Sequence, residues 1–178
     1  FLRYTESMDS NTRLRAGLIA SLRRAVERNE LRLVYQPQLS LADGSIRCVE
    51  ALLRWNSAEH GEVSPVQFIP LAEETGLIVP IGRWVLAEAC RQAKEWQQLG
   101  PNSAQLGIEV NLSVRQLESP TLVADVEEAL ADAALPSSLL VLEITENALM
   151  HRTEVTLARL NELKQIGVRL AIDDFGTG

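Results

Sequence analysis

Acid and amide side chains recur near the ends of short apolar runs in this sequence. Residues two apart on a strand share a face. Glu50, Leu52 and Arg54 of IRCVEALLRW therefore point one way, as do Asn111 and Ser113 of LGIEVNLSV and Glu143 and Thr145 of LLVLEITEN, while the adjacent Asp173 and Asp174 end VRLAIDDF. An ionised carboxylate on the inward face of a sheet costs several kcal/mol unless it is paired or coordinates a metal. The set is all oxygen and negatively charged, which favours Mg²⁺ or Mn²⁺ over zinc. Any one of these residues, taken singly, is better explained as an N-cap for the helix that follows; their recurrence on strand after strand is what points to a site.

The other reactive side chains give weaker signals. Arg54 shares a face with Glu50, and its spacing fits a phosphate clamp and a surface ion pair equally well. Glu109 has the parity of Asn111; it either supports a metal ligand or sits below the metal layer, and it is assigned no role. His60 in SAEHGE and His151 after a strand are expected at solvated surface positions, and neither belongs to a Cys/His cluster. Cys48 and Cys90, without CxxC spacing, read as buried free thiols. The DFG triplet in DDFGTG has no HRD-type loop or lysine-bearing strand before it, so a kinase is excluded. Gly176 and Gly178 fit a plain turn or a mobile lid beside the site.

The elements that must position these residues follow from pattern. Leu14, Leu18, Leu22 and Ala25/Val26 recur at helical spacing over about 12–28, with arginines on the outer face. Strands are expected at 31–41, 46–55, 106–114, 139–147 and 168–175 from runs rich in Val, Ile and Leu, with Ala42-Asp43-Gly44-Ser45 as a hairpin turn. One helix should open with Ser64 as N-cap, Pro65 at N1 and Gln67 at N3, and close at Gly76. Others are expected at about 81–99, 120–134 and 153–166, the last ending at Gly167. Strands separated by helices run parallel, so the fold class is α/β. Five strands alone would leave an exposed edge, so the pattern predicts an eight-stranded (β/α) barrel of ~250 residues, of which this chain covers about the first two-thirds. The start at Phe1 and the end at Gly178 directly after a strand predict further sequence on both sides.

Composition sets the outer bounds. The chain has 178 residues, 46% hydrophobic and 23% charged, as expected of a globular domain rather than a disordered or fibrous chain. No apolar run approaches the ~18 residues of a membrane span, and a cytoplasmic setting is expected, with the parent protein free to be anchored through an upstream segment. Net charge is −7; residues 1–34 hold seven arginines and four acids, leaving ten basic against twenty acidic residues in the rest. Such a body repels long nucleic acids, so neither DNA nor RNA is an expected partner, and an anionic ligand would need metal cations or individual arginines.

YQPQ at 35–38, EALLRW at 50–55, FIPLAEETG at 68–76, VNLSVRQL at 110–117, LEITEN at 142–147 and AIDDFGTG at 171–178 together resemble the EAL domain family, the cyclic di-GMP phosphodiesterases. The triplet EAL alone is weak, but six segments in order make the resemblance specific. It implies a modified TIM barrel with an antiparallel first strand, and hydrolysis of one phosphodiester of cyclic di-GMP to linear pGpG with two Mg²⁺ or Mn²⁺ ions. By motif, Glu50, Asn111, Glu143 and Asp173 would hold the first metal, and Asp173, with Asp174 beside it, the second. Arg54 would contact a substrate phosphate, Gln36 would line the substrate site, and Glu146 would steady the loop that begins with DDFGTG. The family further supplies a lysine and a glutamate from sequence beyond Gly178.

FLRYTESM followed by a helix resembles the junction after a GGDEF domain in composite GGDEF–EAL proteins. This implies residues 1–11 as the tail of an upstream GGDEF or sensory domain, 12–30 as a connecting helix and the start of the EAL domain, and 31–178 as the EAL phosphodiesterase domain, incomplete at its C-terminal end. Family analogy also implies a homodimer through the barrel. Two alternatives stand beside the phosphodiesterase: a non-catalytic cyclic di-GMP receptor, and an enolase-type Mg²⁺ enzyme. The last is disfavoured because none of the five strands carries a lysine to act as base.

Overall fold

A computed structural model describes residues 6–100, 103, 105–145 and 154–173. Helix α1 (Glu6–Leu22) leads into β1 (Leu31–Leu39), β2 (Ile46–Ser57) and the short β3 (Gly61–Val63). Helices α2 (Pro65–Thr75) and α3 (Ile78–Gln97), strand β4 (Gly107–Leu112), and helices α4 (Val114–Leu117) and α5 (Leu122–Ala133) follow. A 3-10 turn (Ser137–Leu139), β5 (Leu140–Thr145), α6 (Glu154–Ile166) and β6 (Arg169–Asp173) complete the order. One sheet runs β1-β2-β4-β5-β6 with β3 appended to β2. β1 is antiparallel to β2, whereas β2, β4, β5 and β6 are mutually parallel. The antiparallel entry followed by parallel strands with helical crossovers is the architecture expected from the sequence.

The outer face of the sheet is apolar because alternate positions carry β-branched and aliphatic side chains. Ile108, Val110, Leu112, Leu140, Leu142 and Ile144 are all at most 3% exposed. Helix α3 packs on β4 of this face and buries Ile78, Ile81, Val85, Leu86, Ala89, Cys90 and Ala93, whose spacing makes a single stripe. Removing each large side chain from water contributes roughly 1.5–3 kcal/mol. Trp55 is fully buried, meets Phe68 edge-to-face at 5.6 Å, and donates its indole N–H to Glu30 Oε2 at 3.0 Å.

Several expected boundaries shift. α1 ends at Leu22 rather than near 28: the backbone tightens to i→i−3 bonds at Arg24 and Ala25 and turns at Asn29, whose φ is 53°. β2 runs on to Ser57 because β3 pairs with Trp55, Asn56 and Ser57. Ser64 occupies the N-cap position of α2, but its side chain makes no capping bond; Gly76 closes that helix in the left-handed region as expected. The 42–45 turn forms as expected, with Ser45 N and Oγ bonding Asp43 Oδ1 and Arg47 reaching Oδ2. Among the described residues no helix is long and apolar enough to cross a membrane.

Candidate metal and phosphate site

Residues that pair across neighbouring strands lie on the same face, so the register places each predicted residue. On the inner face Gln36 stands opposite Glu50, and Glu50 opposite Glu109. Asn111 stands opposite Glu143, and Thr145 opposite Asp173. The predicted acids therefore do not form one row: Asn111 and Glu143 lie one inward-facing step further along than Glu50, and Asp173 one step further again. Such a staircase is what the stagger of tilted strands produces in a barrel wall.

The stagger decides which side chains meet. Asn111 Nδ2 donates to Glu50 Oε1 at 2.8 Å, across 61 residues of sequence, although the register neighbour of Glu50 is Glu109. Glu50 and Glu143 are half-buried, and Asn111 is exposed at the mouth of the inner face. Because the amide nitrogen makes that bond, the amide oxygen is directed elsewhere, as a metal-ligating asparagine requires. Carboxylates of Glu50, Glu143 and Asp173 with an amide oxygen form a hard-oxygen donor set, which fits Mg²⁺ or Mn²⁺ by ligand chemistry. Among the described residues no three His, Cys, Asp or Glu side chains already stand together in a metal-holding group. Asp174 and Glu146 lie outside the described residues, as do His151, Gly176 and Gly178.

Arg54 is four residues beyond Glu50 on the same face and half-buried, and its Nη1 donates to the Leu53 carbonyl at 2.9 Å. It borders a cavity of about 230 Å³ that also touches Asn111 and is walled by Leu52, Ile69, Ile81 and Val85. An apolar recess with a guanidinium and an amide at its edge can take a flat aromatic group bearing a phosphate. Gln36 is exposed.

Two expectations change here. Ser113 does not continue the strand beside Asn111; β4 stops at Leu112 and Ser113 is the N-cap of α4, its hydroxyl accepting from Gln116 N at 3.3 Å. The β-branched Val114 prolonged the apparent strand pattern. His60 is not solvated: it is half-buried against Gly17 of α1, with Nε2 buried and without a hydrogen-bond partner. Glu109, left without a role, is 5% exposed and accepts a hydrogen bond from Gln38 Nε2. Only the second glutamine of YQPQ could have pointed to that contact. Cys48 and Cys90 are buried free thiols, as expected. Burial and then the Glu109 charge push the Cys48 thiol up, and burial pushes Cys90 up to about 12, so neither supplies a thiolate near neutral pH.

Comparison with known proteins sets these observations in context. The EAL domain family model matches residues 19–178. A bifunctional diguanylate cyclase/cyclic di-GMP phosphodiesterase, MucR of Pseudomonas aeruginosa, is 46% identical over 98% of this chain and 25% of its own length. The cyclic di-GMP phosphodiesterase PdeR of Escherichia coli is 36% identical over the whole chain and 26% of its own length. The solved structure of the PaMucR phosphodiesterase in complex with c-di-GMP superposes with a TM-score of 0.84 at 48% identity, covering 91% of this chain and 65% of that one. This chain thus spans about a quarter of the length of such curated relatives.

Proposed function

The chain belongs to the EAL domain family, and from that premise we propose that it hydrolyses one phosphodiester of cyclic di-GMP to linear pGpG with Mg²⁺ or Mn²⁺. The observation that carries the reading is the Glu50–Asn111 hydrogen bond on the face shared with Glu143 and Asp173. The names of the relatives and the c-di-GMP complex of PaMucR support the substrate. Glu50, Asn111, Glu143 and Asp173 would hold one cation, and Asp173 with Asp174 a second. Bound there, two such ions supply an activated water and neutralise the charge of an in-line displacement at phosphorus.

The chain's own residues do the rest. Arg54 binds a phosphate oxygen, a charge-assisted contact that offsets the acidity of the body. The recess beside it receives a guanine and excludes water from that side of the ester, and Gln36 lines the opposite strand. Overall one P–O bond breaks, the water oxygen joins phosphorus, and a proton goes to the departing ribose oxygen. Glu146 steadies the loop that begins at Asp173. Residues 1–11 belong, on this reading, to the tail of an upstream domain and 12–30 to a connecting helix and the start of the EAL domain, and the enzyme works in the cytoplasm as a homodimer.

The test is chromatographic. The full-length protein is incubated with cyclic di-GMP and Mg²⁺ or Mn²⁺, with EDTA and Glu50→Ala as controls. Metal-dependent pGpG supports the reading. Binding of cyclic di-GMP without turnover makes the protein a receptor and refutes it.

A further inference from the structure

Gln116 is 5% exposed, and its side chain makes two connections at once. Its Oε1 accepts from Ser113 N at 3.2 Å and lies 3.1 Å from Ser113 Oγ, while Ser113 Oγ accepts from Gln116 N, so the two residues form a reciprocal capping box. Its Nε2 lies directly over the α-carbon of Gly82 on α3: a Cβ at position 82 would stand 2.0 Å from Nε2 and 2.8 Å from Cδ. No side chain fits at 82 while Gln116 keeps its place.

Gly82 has no conformational need to be glycine. It sits inside a regular helix, where glycine is destabilising relative to alanine, unlike Gly76, whose φ of 76° favours glycine at that helix end. What the missing Cβ provides is the space that Gln116 occupies. The capping box in turn holds Ser113 extended, at φ −81° and ψ 159°, and ends β4 at Leu112. Asn111 is thereby the last inward-facing residue of its strand, fixed by the ladder on one side and by the cap on the other. From there its amide reaches Glu50.

We propose that Gly82 and Gln116 are positioning residues for the cation site, their contact holding the capping box that sets Asn111 against Glu50. The inference rests on the metal reading above. The side chain that must move when position 82 gains a methyl group is the one that caps α4. The cavity beside Gln116 gives the displaced amide somewhere to go, so the protein can fold with the cap broken.

The experiment measures Mn²⁺ affinity of the full-length protein by electron paramagnetic resonance of free Mn²⁺, with thermal melts alongside. Gly82→Ala and Gln116→Ala each weaken Mn²⁺ binding about tenfold, as loss of an orienting partner does elsewhere. Gln116→Glu keeps the affinity within about twofold, because a glutamate at the third helical position completes the same capping box. The double variant binds no more weakly than Gln116→Ala alone. Unchanged affinity in folded Gly82→Ala, additive losses in the double variant, or equal losses in Gln116→Glu and Gln116→Ala overturn the inference. If Gly82→Ala does not fold, the two Gln116 variants decide it. A parent protein that binds no Mn²⁺ overturns the metal reading and this inference together, whereas a binding parent with unaffected variants overturns this inference alone.

Discussion

The two faces of the sheet are made from the same strands and do opposite work. Outward, Ile108, Val110, Leu140, Leu142 and Ile144 are at most 2% exposed and packed under helices. Inward, alternate residues of those strands are Glu109, Asn111, Glu143 and Thr145, with Gln36, Glu50 and Arg54 from β1 and β2. Stability is concentrated on one side, which lets the other carry acidic and amide side chains that a self-sufficient core would reject. The contrast predicts that substitutions on the inner face change ligand binding and turnover with little change in stability, and that substitutions on the outer face do the reverse.

The largest expected effect is at Glu50. Glu50→Ala removes a carboxylate ligand and the acceptor of the Asn111 bond, and abolishes pGpG formation while the melting temperature stays near that of the parent. Full activity in folded Glu50→Ala breaks the comparison. Next is Leu142→Ala on the outer face, which lowers unfolding free energy by about 2–5 kcal/mol in chemical denaturation, while Mn²⁺ affinity of the folded fraction is retained. A large fall in that affinity would show the faces to be coupled.

Arg54→Ala is smaller and divides differently. A phosphate clamp acts largely in the ground state, so KM rises about tenfold or more, for a charged hydrogen bond of ~1.5–3 kcal/mol, with kcat little changed. An unchanged KM refutes the clamp. The smallest effect lies outside both faces, at Glu59. Bonds from Ser21 at 2.8 Å and Arg28 at 3.3 Å hold its carboxyl below the usual range. A depressed acid stabilises the fold above its ordinary pKa, and that contribution is lost as pH falls through the folded value. Glu59→Gln therefore lowers the melting temperature slightly at pH 7, and the difference from the parent vanishes once pH falls below the depressed folded value. A difference that persists in acid assigns the effect to packing instead.

Much of the frame was legible because its signals are local. The hairpin turn at 42–45, the left-handed Gly76 and the apolar runs of β4, β5 and β6 depend on neighbours in sequence. β3 was not legible, since Gly61–Val63 is too short for any period and exists only because β2 offers it an edge. Ser113 was misplaced for a related reason: a four-residue helix has no apolar stripe, and only its partner Gln116 shows that the strand has ended. His60 lies in a polar stretch and is half-buried only because α1 brings Gly17 against it.

What the sequence alone determined was which residue types line the inner face: period-two alternation assigns Glu50, Arg54, Asn111 and Glu143 to a side without knowledge of any partner strand. What only the tertiary structure decided was which of them meet. Strand stagger carries Asn111 past the register of Glu109 to Glu50, and the approach of α3 to α4 puts Gln116 over Gly82. Alternation is a property of one backbone, whereas register and helix approach are set by packing between segments far apart in the chain. A chain read one strand at a time contains the first and not the second.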